Sequence, residues 1–227
     1  MIEKNLKAVI ERIKNACQQT NRIKKSVILL AVSKRQTVES IKSAYRAGQQ
    51  HFGENYLSEA LEKQTLLVDY PIIWHYIGSI QSNKTKKIAE NFVWVHSVDS
   101  LKIATRLSNQ RPDNLPSLNI CLQINIDNED TKSGFLPDTD GLSVLAQEIN
   151  ELPNIDLRGL MCIPSPKQNK ADEIATFSRM SELLQRLNDE GLNLDTLSMG
   201  MSDDLESAIG CGATIVRVGT AIFGQRK

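Results

Sequence analysis

Eight apolar, strand-like runs alternate with helical patterns from Ser26 to the end of the chain, and this regular beat constrains the fold more than any other feature. The runs lie at 26–34, 51–55, 72–79, 92–98, 118–126, 156–163, 194–200 and 213–219. Helical stretches fall between them near 37–49, 56–67, 83–91, 100–110, 139–151, 170–190 and 203–210. Thr37, Asn83 and Ser202 stand where N-caps would open three of these helices. Strand then helix, repeated, predicts a parallel sheet covered on both faces. Eight strands and seven intervening helices leave one helix missing from a (β/α)8 barrel. Residues 1–20, with Leu6, Val9, Ile10 and Ile13 at helical spacing among charged residues, can supply it. The rival, an open doubly wound sheet, carries a glycine-rich turn after its first strand, whereas here that strand runs into Val32-Ser33-Lys34-Arg35-Gln36-Thr37. An α/β, single (β/α)8 TIM barrel spanning residues 1–227 as one domain is the expectation.

Charge narrows the function. Lys+Arg and Asp+Glu are equal at 27 each, so no overall field draws nucleic acid or a membrane surface. The short run Lys84-Thr85-Lys86-Lys87 reads as a solvated helix face. Cys17, Cys121, Cys162 and Cys211 are widely spaced, which points away from a zinc site or a disulfide framework and fits a reducing, cytoplasmic setting. No apolar run reaches the roughly 18 residues of a membrane span.

In such a barrel the chemistry sits at the C-terminal ends of the strands, and phosphate commonly binds the loops after strands seven and eight. Strand seven runs into Ser198-Met199-Gly200-Met201-Ser202-Asp203-Asp204 and strand eight into Gly219-Thr220-Ala221-Ile222-Phe223-Gly224. Each can open a helix whose N–H groups receive an anion, or can be an ordinary turn and cap. Alternation puts Ile215, Arg217 and Gly219 on one face and Leu30, Val32 and Lys34 on another. An arginine or lysine aimed at the helix layer would be buried at high cost, so both are expected to face the mouth. Asn55 flanks Lys34 from strand two. Lys34 is otherwise a solvated strand end, and Arg217 a structural ion-pair partner for Asp203 or Asp204.

Other polar residues carry weaker signals. His75, in Trp74-His75-Tyr76, is either a contact for a bound ring or a hydrogen-bonded core histidine. His51 and His96 lack a ligand-spaced partner, so no metal site is expected. Cys121, Gln123 and Asn125 form a polar row that could line the mouth, and Lys132 beyond it is a second amine or an exposed loop lysine.

Taken in order, Ala31-Val32-Ser33-Lys34, Phe52-Gly53-Glu54-Asn55-Tyr56, Trp74-His75-Tyr76-Ile77-Gly78 with Gln81-Ser82-Asn83-Lys84, Lys132-Ser133-Gly134, Gly159-Leu160-Met161, Ser198-Met199-Gly200-Met201-Ser202-Asp203 and Arg217-Val218-Gly219-Thr220-Ala221-Ile222-Phe223-Gly224 resemble the pyridoxal-phosphate homeostasis proteins, single-domain relatives of the alanine racemase barrel. The resemblance runs nearly end to end and implies a type III pyridoxal-phosphate fold. It implies Lys34 as the Schiff-base lysine, Arg217 near the pyridine nitrogen, Asn55 beside the ring, and Ser202, Gly219 and Thr220 around the phosphate, with Met201 as a further cofactor-binding residue. Ser79 stands where that family more usually has proline. Racemases of this fold carry a second, β-rich domain and a tyrosine base from the partner subunit. This chain ends at Lys227, three residues after the barrel motif, which leaves no room for that domain. The implied role is holding, buffering or delivering pyridoxal 5'-phosphate in vitamin B6 homeostasis, by a monomer, with apo pyridoxal-phosphate enzymes as potential recipients. The alternative is a racemase-like enzyme in which His75, Tyr56 or Lys132 supplies a second base; a cofactor-free Schiff-base aldolase is a more distant one.

Overall fold

The computed structural model describes residues 1–137 and 141–225. Eight parallel strands close into a barrel in chain order: β1 Ile28–Val32, β2 His51–Glu54, β3 Ile73–Tyr76, β4 Trp94–Val98, β5 Leu118–Ile124, β6 Ile155–Cys162, β7 Thr196–Ser198 and β8 Ile215–Val218. Closure comes from β1 pairing with β8, with Leu30 opposite Arg217 and Ala31 opposite Val218. The helices are α1 Ile2–Gln19, α2 Val38–Arg46, α3 Leu57–Leu66, α4 Thr85–Asn91, α5 Leu101–Gln110, α6 Gly141–Asn150, α7 Lys170–Asp189, α8 Leu205–Gly210 and α9 Thr220–Phe223. The start of the helix expected at 139–151 lies outside the described residues.

The missing place in the outer ring belongs to α1. Its apolar stripe, Leu6, Val9, Ile13, Ala16 and Cys17, is buried, and it packs on α8, α9 and α2. Polar ties fix the seat: Arg12 makes a two-pronged ion pair with Glu206 on α8 at 2.7 and 2.8 Å, and Asn5 donates to the Ile222 carbonyl of α9 at 3.0 Å. Most buried apolar side chains lie between strands and helices. A smaller cluster, Leu30, Trp94, Cys121, Met161 and Ile215, fills the barrel itself, as expected of a packed barrel interior rather than a pore. Arg158, paired with Asp195 and Asn119 and lying 5.3 Å from the Trp94 ring centroid, closes the N-terminal end.

Several strands are shorter than their apolar runs. β1 ends at Val32 and β8 at Val218, so Lys34 and Gly219 lie just past the ladder, where the chain leaves the sheet to enter a helix. The turn is sharp after Lys34, where Arg35 adopts φ +59°. Thr37 caps α2 as expected, accepting from the Ser40 N–H at 3.2 Å. Neither Asn83 nor Ser202 caps the helix that follows it: α4 and α8 open at Thr85 and Leu205 with no side-chain cap. Asp204 instead accepts from the Met201 N–H. Lys84, Lys86 and Lys87 are exposed, as the solvated-face reading expects. No helix among the described residues is long and apolar enough to cross a membrane.

Candidate functional site

A cavity of about 440 Å³ opens at the C-terminal ends of the strands. Lys34, Asn55, Met201, Ser202, Arg217, Gly219 and Thr220 all line it, with Val32, Ile77, Met161 and Ile163 as apolar walls. The seven residues picked out in the sequence are thus brought together, Arg217 from β8 itself and the rest from the loops after β1, β2, β7 and β8. Arg12 and Asp203 line it too. Arg12 went unrecognised because it sits on α1, a helix whose sequence shows only its packing stripe.

Each wall has a local cause. Lys34 is half-buried, and the backbone on both sides of it is held from below. The Lys63 amine, reaching inward from α3, donates to the Ser33 carbonyl at 2.7 Å and to Glu54 and Glu59, while Glu59 accepts from the Arg35 N–H at 2.5 Å. Glu54 is fully buried, and that burial pushes its carboxyl above the usual range against the opposing pull of Lys63 and Ser33. Asn55 is set by a close approach: a Cβ on Gly78 would lie 2.0 Å from the Asn55 carbonyl oxygen, so only glycine lets the β3 loop pass there. Ser202 crosses to the neighbouring loop, where its hydroxyl lies 3.4 Å from the Ala221 N–H at the start of α9.

Arg217 is 5% exposed and pairs with neither Asp203 nor Asp204. Its guanidinium donates to the Ser198 carbonyl at 2.5 Å, the Ser198 hydroxyl at 2.9 Å and the Cys162 carbonyl at 2.7 Å. Burial lowers its pKa, but a guanidinium stays charged in proteins. The cavity floor therefore carries a fixed positive charge held by neutral acceptors. The neighbouring Cys162 thiol is buried and its pKa is pushed up to about 12, which keeps it neutral and inert.

Of the two readings of His75, the hydrogen-bonded core histidine holds. His75 does not line the cavity; it is fully buried inside the barrel. There it lies 2.9 Å from both His51 and His96, and His96 lies 2.8 Å from the Ser198 hydroxyl. His51 and His96, which lack metal-ligand spacing in the sequence, thus both partner His75. Their sequence separations hide this, although all three fall on inward-facing positions of consecutive strands. The row on β5 braces a loop rather than lining the mouth. Gln123 donates to the Ser133 carbonyl, and Asn125 donates to the Glu129 and Lys132 carbonyls. Cys121 packs in the barrel interior, where the register of β5 against β6 shifts after Ile120. Lys132 does not line the cavity but adjoins its wall: its amine is ion-paired to Glu129 at 2.6 Å and donates to Ser165 and to the carbonyl of Ile163 at 3.2 Å.

A closed eight-stranded barrel with a lysine after β1 and an arginine on β8 facing one cavity defines the barrel class of alanine racemase, and the sequence model described as "Alanine racemase, N-terminal domain" matches residues 5–227. Within that class, the chain belongs to the pyridoxal phosphate homeostasis protein family. It is 56% identical to the pyridoxal phosphate homeostasis protein of Pseudomonas aeruginosa over 99% of this chain and 96% of that protein. It is 43% identical to the Escherichia coli K12 protein of the same name, over 99% and 97%. Among solved structures, PipY of Synechococcus elongatus with pyridoxal phosphate bound superposes with a TM-score of 0.84 at 36% identity, covering 99% of this chain and all of that one. Alanine racemase of Clostridium difficile shares the fold, with a TM-score of 0.79 at 16% identity over 98% of this chain and 60% of its own.

Proposed function

We propose that this protein binds pyridoxal 5'-phosphate in the 440 Å³ cavity and serves pyridoxal phosphate homeostasis by holding and releasing it. The observation that carries the reading is the convergence on one cavity of the Lys34 amine, the Arg217 guanidinium and a buried Asn55 Oδ1 that has no hydrogen-bond partner in the protein. A buried acceptor without a partner costs about 1–3 kcal/mol, and a polar ligand in the cavity relieves that cost. The volume falls within the roughly 300–1,000 Å³ of small-molecule sites. The names of the relatives and the ligand of PipY agree with this chemistry.

Pyridoxal phosphate brings an aldehyde, an aromatic ring and a phosphate. The Lys34 amine would be the group that condenses with the aldehyde, with loss of one water. Arg217 would serve the ring nitrogen with N–H donors it cannot give up, which would keep that nitrogen unprotonated and the ring a weak electron sink. Asn55 would flank the ring from the β2 side. Ser202, Gly219 and Thr220, with Met201 beside them, would hold the phosphate between two loops, while Arg12 at the rim has its charge paired with Glu206.

None of the side chains weighed as a second base lines the cavity. His75 is sealed in the barrel, Lys132 is paired with Glu129, and Tyr56 is 45% exposed beside Arg35. This supports holding the cofactor over turning over an amino acid. A monomer in the cytoplasm that hands the cofactor to apo enzymes completes the reading.

Borohydride reduction after incubation with pyridoxal phosphate, followed by peptide mass mapping, tests it. A phosphopyridoxyl group on Lys34 that is absent from Lys34→Ala is expected. An unmodified Lys34 at saturating cofactor overturns it.

A further inference from the structure

The barrel interior holds a continuous chain of polar contacts: His51 Nδ1 to His75 Nε2 at 2.9 Å, His75 Nδ1 to His96 Nε2 at 2.9 Å, His96 Nδ1 to Ser198 Oγ at 2.8 Å, and Ser198 Oγ to the Arg217 guanidinium at 2.9 Å. It climbs from the first residue of β2, at the N-terminal end of the barrel, to the floor of the cavity. We propose that the three histidines form a one-way hydrogen-bond relay, its direction set by Arg217 through Ser198, which locks the guanidinium in one orientation beneath the cavity.

The direction follows from counting hydrogens. A guanidinium only donates, so Ser198 Oγ accepts from Arg217. The serine has one hydrogen, and the other group at hydrogen-bond distance among the described residues is His96 Nδ1. His96 Nδ1 therefore accepts. A neutral imidazole that accepts at Nδ1 carries its hydrogen on Nε2, so His96 donates to His75, and His75 by the same rule donates to His51. The reverse orientation puts two donors on Ser198 Oγ and leaves its hydroxyl hydrogen without a partner. Burial and the nearby guanidinium hold His96 neutral, with a pKa lowered to about 3, and burial with the adjacent rings holds His75 well below the usual range. A charged ring at either place would turn a donor toward an existing donor.

Ser198 and His96 are positioning residues. With its hydrogen committed to His96, Ser198 presents a lone pair to Arg217 at all times. Together with the Ser198 and Cys162 carbonyls, that lone pair fixes the plane of the guanidinium. The consequence for a bound cofactor rests on the function proposed above; the direction of the relay does not.

The chain has three histidines, and all are in the relay, so long-range 1H–15N correlation NMR of the unloaded protein at neutral pH reads it directly. Three Nε2–H tautomers are expected. His51→Phe should leave the other two rings unchanged, whereas Ser198→Ala should give His96 a mixture of tautomers. A wild-type ring in the Nδ1–H form, or a spectrum that responds to His51→Phe and ignores Ser198→Ala, overturns the direction. The wild-type spectrum decides it even where a variant does not fold. With pyridoxal phosphate bound, Ser198→Ala should speed cofactor dissociation about tenfold, the worth of one hydrogen bond to a charged group, and shift the cofactor absorption band. Ser198→Thr, which keeps the hydroxyl, should restore both. An unchanged band and rate in Ser198→Ala overturn the positioning role. Failure of the wild type to take up pyridoxal phosphate overturns the proposed function and leaves the tautomer result standing.

Discussion

The Lys63 amine of α3 lies 2.7 Å from the carbonyl oxygen of Ser33, the residue immediately before Lys34. A helix outside the barrel thereby holds the peptide that leads into Lys34, whose side chain faces the cavity. Because the same amine also neutralises the buried Glu54, the support of Lys34 and the balance of buried charge are one structure.

Removing that amine leaves Glu54 without its cation. Lys63→Ala is expected to lower stability by about 3–5 kcal/mol, and Lys63→Met combined with Glu54→Leu to recover most of the loss, since replacing both partners of a buried pair is far milder than removing one. Urea unfolding of the two variants beside wild type checks this, and equal losses in the single and double variants would contradict it.

Asn55→Ala should separate stability from binding. Because its buried carbonyl oxygen has no partner within the protein, the unloaded variant is expected within about 1 kcal/mol of wild type, while pyridoxal phosphate binds about tenfold more weakly. Thermal unfolding and cofactor titration measure the two halves separately.

Acid should weaken the fold through the histidine relay. A ring kept neutral in the folded state, but free to take a proton near pH 6.5 in the unfolded chain, makes the unfolded state the better proton binder between those two pKa values. Stability is therefore full above about pH 6.5 and falls as pH drops toward the folded value, which is about 3 for His96. Each such ring contributes a slope approaching about 1.4 kcal/mol per pH unit. Urea midpoints between pH 7.5 and 5 should show the decline, and His96→Gln should flatten it.

Gly78→Ala is expected to cost about 1–3 kcal/mol, as overpacking typically does. The new Cβ would meet backbone, the Asn55 carbonyl oxygen at 2.0 Å, and a side-chain rotation cannot relieve that. The displaced Asn55 should also weaken cofactor binding in the same titration.

The barrel was readable because burial on both faces makes each strand an apolar run, and the helices between announce themselves by spacing and by caps such as Thr37. Lys34 and Arg217 could be brought together because barrel closure makes the first and last strands neighbours. Contacts running across the sheet were not readable in this way. His51, His75 and His96 meet only through the stagger of three strands, and that stagger is a property of the closed barrel, not of any segment. Lys63 looks like any charged residue on an exposed helix until Glu54 is found beneath it. The polar row on β5 misled because alternation assigns a face, whereas the register shift after Ile120 and the loop at 127–134 decide what those side chains meet.

The pairing of β1 with β8 also sets the order of events during synthesis. Lys34 leaves the ribosome early, but the strand that carries Arg217 and the Gly219-Thr220 turn emerge only with the last stretch of the chain. A nascent polypeptide halted before residue 215 has the amine and no pocket around it, so cofactor capture is confined to chains whose two ends have met.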